Sequence, residues 1–126
     1  MHPEKLNSVL TLSSKERYEY FIKKVADFET VYLIQDDDKY VTIGDDKNEI
    51  IIPVYPEAEF AELNLQGTWI NFSVEEMELS EFLDWLDELH EKRIKVAGFP
   101  SSENSGIVIT ADEMKNHILF EMQQYE

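Results

Sequence analysis

Two S/T-x-x-E sequences, Ser13 to Glu16 and Thr110 to Glu113, each stand ahead of an apolar run of helical period. In such a box the hydroxyl and the carboxylate each satisfy a backbone N–H that the helix itself leaves open, so the sequence marks where two helices begin. Behind the first box, Tyr18, Phe21, Ile22 and Val25 fall at i, i+3, i+4 and i+7, which predicts a helix over about Ser14 to Phe28. Behind the second, Ala111, Met114, Ile118, Met122 and Tyr125 form the stripe, and Ile109 with Met114 has the spacing of a hydrophobic staple. Between the two boxes the apolar residues come mostly in short runs that stop at turns. A chain punctuated this way must set helices against a sheet.

The middle region reads as follows. Thr30 to Gln35 is apolar on both faces, as a central strand would be. Asp36 to Lys39 is a turn, Tyr40 to Ile43 alternates, Gly44 to Asn48 is a second turn, and Glu49 to Tyr55 is a third strand. These three strands suggest an antiparallel meander. Pro53 cannot donate to a ladder, so the third strand is an edge or ends there. Pro56 to Leu65 suggests a short helix with Phe60 and Leu63 inward and Gly67 beyond its end. Trp69 to Glu78 reads as loop plus strand, Ser80 to Glu91 as a helix with Ser80 at its N-cap, and Arg93 to Phe99 as a strand. Pro100 to Ser105 is a loop and Gly106 to Ile109 a short strand. Pro3 to Leu10 suggests a short helix whose Leu6, Val9 and Leu10 share a face, with Tyr20 beneath it. The expectation is a single α+β domain over residues 1–126, an antiparallel or mixed sheet with helices packed on one main face. Residues 1–12 would form a short N-terminal helical arm.

The run Arg17-Tyr18-Glu19-Tyr20-Phe21-Ile22-Lys23-Lys24-Val25-Ala26-Asp27 resembles the opening signature of a bacterial family, domain of unknown function 2750. The strand around Val31-Tyr32-Leu33, Ile52-Pro53-Val54-Tyr55-Pro56 leading to Phe60-Ala61, Leu79-Ser80-Glu81-Phe82-Leu83, and Ile107 through Glu113 match it in order. The second half is also similar, more weakly, to the N-terminal part of the bacterial serine-sensitivity enhancing protein family. The first resemblance implies a compact bacterial domain. It carries over no reaction, cofactor or catalytic residue.

Charge limits what the chain can meet. The net charge is −16, and no Lys or Arg stands between Lys47 and Lys92. A surface this acidic repels nucleic-acid phosphates and anionic lipid heads, so direct nucleic-acid and membrane binding are not expected. There are no cysteines, which excludes disulfides and thiol chemistry. The start, Met1-His2-Pro3-Glu4-Lys5, has no signal-peptide pattern, and Ile50-Ile51-Ile52 is far too short to span a membrane. The expected location is the cytoplasm.

In the Ser80 helix, Phe82, Trp85, Leu86 and Leu89 make one face. Asp84, Asp87, Glu88 and Glu91 repeat the same spacing about half a turn away. With Glu75 and Glu76 they are the candidate residues for binding a partner. Three readings compete: a solvated face that serves solubility, a docking surface for a basic protein partner, and, within that, a mimic of nucleic-acid phosphates. The aspartates at 36–38 and at 45–46 raise a divalent-metal alternative, yet the calcium-loop spacing of D-x-D-x-D-G is missing. His2, His90 and His117 lack zinc-helix spacing, and neither a nucleophile elbow nor a phosphate loop is present. No metal, cofactor or catalytic residue is therefore assigned. The chain reads as a non-catalytic interaction module, with a small enzyme or metal-binding domain as the alternative.

Overall fold

A computed structural model describes residues 2–44, 49–101 and 106–125, and its first two helices lie where the sequence puts them. Helix α1 spans Pro3–Leu10 and α2 spans Ser14–Phe28. Both halves of the first capping box form: Ser13 Oγ accepts from the Glu16 N–H at 3.2 Å, and Glu16 Oε1 accepts from the Ser13 N–H at 3.1 Å. The bond from the Ser13 backbone, then that from its hydroxyl, holds the Glu16 carboxyl below the usual carboxylate range. Glu29 ends α2 in a left-handed conformation, φ 58, with its N–H on Val25 O.

Strand β1 (Thr30–Asp36) follows at once. It pairs over most of its length with β5 (Ser73–Glu78), antiparallel, from Thr30 opposite Glu78 to Gln35 opposite Ser73. On its other edge β2 (Lys39–Tyr40) reaches only Gln35 and Asp36, so β1 is central, as its apolar run implied. The expected three-strand meander does not form. After Tyr40 the chain makes one more bond to β1, Val41 N–H to Ile34 O, and then leaves it. Strands β3 (Ile43–Gly44) and β4 (Ile50–Val54) join a second sheet with β6 (Lys95–Gly98) and β7 (Ile107–Thr110), in the order β3-β4-β6-β7. The partners of β1 and β4 are set by contacts far along the chain, which local alternation cannot encode.

β4 and β6 run parallel, Ile51 opposite Lys95 to Val54 opposite Gly98. β4 is therefore interior to its sheet and continues past Pro53, contrary to the edge expectation. Val54 O accepts from Phe99 N–H, so Val54 turns its polar groups toward β6 and Pro53 turns away from it. On that side β3 stops opposite Ile51, and the missing donor of Pro53 falls in a gap between two partners. The next partner is β1: Tyr32 and Tyr55 exchange two hydrogen bonds of 3.0 and 2.9 Å. That bridge joins the two sheets.

Helix α3 (Ala58–Glu62) is shorter than the Pro56–Leu65 expectation, and Gly67, φ 59, opens a 3-10 turn over Gly67–Trp69. Helix α4 covers Leu79–Glu91. Its N-cap is Glu78, not Ser80, and no side chain caps it. Because Leu79 N–H still bonds to Glu29 O, the end of β5 passes straight into the helix and Ser80 lands inside its first turn. Helix α5 (Ala111–Met122) starts at the second capping box as expected. Its Ala111, Met114 and Ile118 are fully buried and Met122 half-buried, while the Tyr125 side chain and residues 102–105 lie outside the described residues. Helices α2, α4 and α5 pack together over the strands. The shared core includes Phe21, Val25, Leu33, Val54, Phe82, Leu86, Val96 and Met114.

A helix side chain closes directly over the backbone at Gly98, the last residue of β6. A Cβ there would stand 2.5 and 2.7 Å from two ring carbons of Tyr18 and 3.3 Å from Met114 Cε. The Tyr18 ring is anchored, since its hydroxyl shares a 2.6 Å hydrogen bond with His117 Nδ1. Gly98→Ala should therefore destabilise the fold by about 1–3 kcal/mol. Urea denaturation checks this, and in a Tyr18→Ala background the same change should cost less than half as much.

Candidate functional site

The acidic strip is built on α4. Phe82, Leu86 and Leu89 are buried, and Trp85 is half-buried with its ring 5.0 Å from that of Tyr40. That packing fixes the rotation of the helix and turns Asp84, Asp87, Glu88 and Glu91 outward, all exposed. The strip is not purely acidic in its surroundings. Lys115 of α5 reaches Asp87 at 2.7 Å, and exposed Lys92 and Arg93 follow Glu91 directly. Among the described residues, Asp84, Glu88 and Glu91 have no salt bridge.

Glu75 and Glu76 part company. Successive strand residues point to opposite faces. In register, Glu75 shares a face with Ser73, Gln35 and Tyr40, the face on which Trp85 lies. Glu75 therefore stands on the α4 side, where its carboxylate accepts from Ser73 Oγ at 3.2 Å. Glu76 stands on the other side, opposite Tyr32. There burial, then Glu76, Glu59 and Glu57 in that order, pushes the Tyr32 hydroxyl above the usual tyrosine range. So the structure gathers five of the six candidates on the α4 side and puts Glu76 in a second acidic group with Glu57 and Glu59.

That second group has its own partners. Glu57 accepts a hydrogen bond from the Tyr20 hydroxyl and lies 3.7 Å from Lys5 Nζ of α1. Burial, then Glu57, raises the Tyr20 pKa. The Tyr20 ring packs on Phe60 and Phe99, with centroids 6.2 and 6.0 Å away. Phe60 of α3 and Phe99, just beyond β6, thus share in covering Tyr20, and Leu6, Val9 and Leu10 of α1 pack into the same core. Among the aspartate turns, Asp36, Asp37 and Asp38 are exposed, while Asp45 and Asp46 lie outside the described residues. Among the described residues no three His, Asp or Glu side chains gather in a way that could hold a metal ion. No helix among them is long and apolar enough to cross a membrane.

The chain matches the family model described as Protein of unknown function (DUF2750) over residues 18–118. It belongs to that family. No curated protein and no solved structure matches it. The DUF2750 span takes in β1 through most of α5, and so all six acidic candidates.

Two features of this DUF2750 chain escaped the sequence reading. Arg17, one residue before the matched span, is buried at 4% relative exposure. Its Nε donates to Phe99 O at 3.2 Å, Nη1 to Leu12 O at 2.9 Å and Nη2 to Ser14 Oγ at 3.4 Å. The signal was present, because Arg17 precedes Phe21 and Val25 by four and eight residues and so falls on the buried stripe. The Tyr18–His117 pair had no such signal, since the two residues are 99 positions apart. Burial, and after it Glu113, raises the pKa of the Tyr18 phenol.

Proposed function

We propose that this chain is a non-catalytic interaction module that takes a basic protein segment onto the exposed face of α4. It works in the cytoplasm and contacts neither nucleic acid nor membrane directly. The observation that supports this reading is where the carboxylates sit along the helix. Asp87, Glu88 and Glu91 occupy the C-terminal half of α4, the end at which backbone carbonyls already carry partial negative charge. Asp84 with Glu88 and Asp87 with Glu91 also repel each other at i, i+4. Solubility alone could be met by acids at the other end of the helix at no such cost. A row of exposed carboxylates kept against the dipole fits a partner that supplies the positive charge and uses it for steering and selection.

The double variant Glu88→Lys/Glu91→Lys tests the reading. It should fold and be slightly more stable than the parent, by a few tenths of a kcal/mol per substitution. Immobilised parent protein should capture Lys- and Arg-rich proteins from a bacterial lysate at low salt and release them at high salt. The variant should capture none of them. Equal capture by both proteins, or capture unaffected by salt, would return the strip to a role in solubility. A captured nucleic-acid-binding protein would identify the face as a phosphate mimic.

A further inference from the structure

Among the described residues, the longest strand at a sheet edge is β5. Its partner β1 fixes which of its backbone groups are open. Tyr32 exchanges two bonds with Tyr55, and Ile34 O accepts from Val41 N–H, so these residues of β1 turn their polar groups away from β5. Residues directly opposite in an antiparallel pair exchange both bonds or neither. Ser73, Glu75 and Met77 therefore bond to β1, in step with Leu79 N–H on Glu29 O. Val74, Glu76 and Glu78 point outward. Glu78 is the N-cap of α4 and gives its carbonyl to the helix. The N–H groups of Val74, Glu76 and Glu78 and the carbonyls of Val74 and Glu76 are left on the outer edge, and no described residue bonds to them.

An unpaired edge of this kind is a template for one more strand. Proteins usually close such an edge with a proline, a bulge or a lysine. The run Ser73-Val74-Glu75-Glu76-Met77-Glu78 holds neither proline nor lysine, and its register with β1 is unbroken, so it has no bulge. What it has is charge of one sign. Glu75, Glu76 and Glu78 are exposed and form no salt bridge among the described residues. Strand alternation sets Glu76 and Glu78 side by side on one face and Glu75 on the other. A second copy of this chain is refused, because β5 laid on β5 brings these carboxylates against one another. A strand that carries Lys or Arg is accepted: main-chain bonds hold it, and its cations meet carboxylates that have none of their own.

We infer that the outer edge of β5 takes an extended basic segment of another protein as an added strand, with Lys or Arg at alternate positions facing Glu76 and Glu78. A basic residue on the other face of that segment meets Glu75. The site is separate from the α4 face. It shares with the partner proposed there only the sign of the charge, and it stands without that reading.

Two capped peptides of equal charge test the inference on the full chain, Lys-Thr-Lys-Val-Lys-Thr-Lys and Lys-Pro-Lys-Pro-Lys-Pro-Lys. The second keeps every cation on an extended backbone but lacks the donors for pairing. At low salt and saturating concentration, the first should slow amide exchange about tenfold at Glu76 and at Val74 or Glu78, while Ser73, Glu75 and Met77, already bonded to β1, change little. Protection at every second residue is the signature of strand addition, which docking on a helix face does not produce. The proline peptide should change none of these rates. Glu76→Pro removes an outward N–H that bonds to nothing in the free protein, so the ladder to β1 survives and the peptide effect at Val74 should vanish. Glu76→Gln keeps the backbone and should weaken binding only about threefold, which holds the test open if the proline variant fails to fold. The Glu88→Lys/Glu91→Lys protein should bind the first peptide as the parent does, whatever becomes of its capture of lysate proteins. Loss of the peptide in that variant would place the segment on α4 and overturn the proposal. So would equal protection by both peptides, no protection by either, or protection without the alternation.

Discussion

Arg17→Met should cost the fold about 2–4 kcal/mol, far more than a surface arginine would. Methionine keeps much of the apolar stem and removes the guanidinium. The carbonyl of Phe99 then loses a donor in a buried setting, and that of Leu12 loses one in a part-buried setting. A hydrogen bond from a charged donor contributes about 1.5–3 kcal/mol, and a buried acceptor left unmet costs about 1–3 kcal/mol. The Leu12 carbonyl lies beside an open cleft and can recover a water, which keeps the total below the sum of two full losses. Arg17→Lys should recover less than half, because one ammonium on a flexible stem cannot reproduce a planar fork that spans two carbonyls. Urea denaturation should show the midpoint falling at constant slope for both variants. A loss under 1 kcal/mol in Arg17→Met would mean the guanidinium is not an organising contact. The change should also loosen the start of the chain, since Leu12 is the link between α1 and α2. Faster amide exchange confined to residues before Ser13 would report that loosening.

The parts of this fold that local chemistry controls were readable before any coordinates. Ser13 with Glu16, and Thr110 with Glu113, placed two helix starts to the residue, because a capping box is a contact between positions three apart. Phe82, Leu86 and Leu89 oriented α4, and with it the outward set from Asp84 to Glu91. What depends on distant pairing was not readable. β5 takes nearly the whole of one edge of β1 from forty residues downstream, which ends the expected meander after β2. Pro53 lies in an interior strand because the geometry on its far side leaves a gap, and no local rule expresses that. Glu75 and Glu76 look equivalent in sequence, yet strand alternation sends them to opposite faces. Arg17 is the instructive case. Its spacing from Phe21 and Val25 placed it on the buried stripe, but the acceptor that makes this tolerable, Phe99 O, is 82 residues away.

Phe99→Ala should be the more damaging change, at about 3–5 kcal/mol. The side chain is 1% exposed, and its ring lies 4.8 Å from Phe60, 6.0 Å from Tyr20 and 6.0 Å from the Arg17 guanidinium carbon. Removing it opens one cavity among three aromatic and cationic neighbours. The backbone makes a second, less usual statement. Phe99 has φ 56, a left-handed conformation that costs a side-chain-bearing residue about 1 kcal/mol or more. It is held there from both sides: its N–H donates to Val54 O at 2.9 Å, and its carbonyl accepts from Arg17. Burial of the ring outweighs that strain in the parent protein. Once the ring is gone the strain remains in alanine and disappears in glycine. Phe99→Gly should therefore be no less stable than Phe99→Ala, and more stable by up to about 1 kcal/mol, although glycine in a regular element is normally the worse of the two. The pair is read from urea midpoints under one set of conditions. If the glycine variant unfolds clearly before the alanine variant, the left-handed backbone at Phe99 is not held as described, and the buried position of Arg17 loses its second anchor.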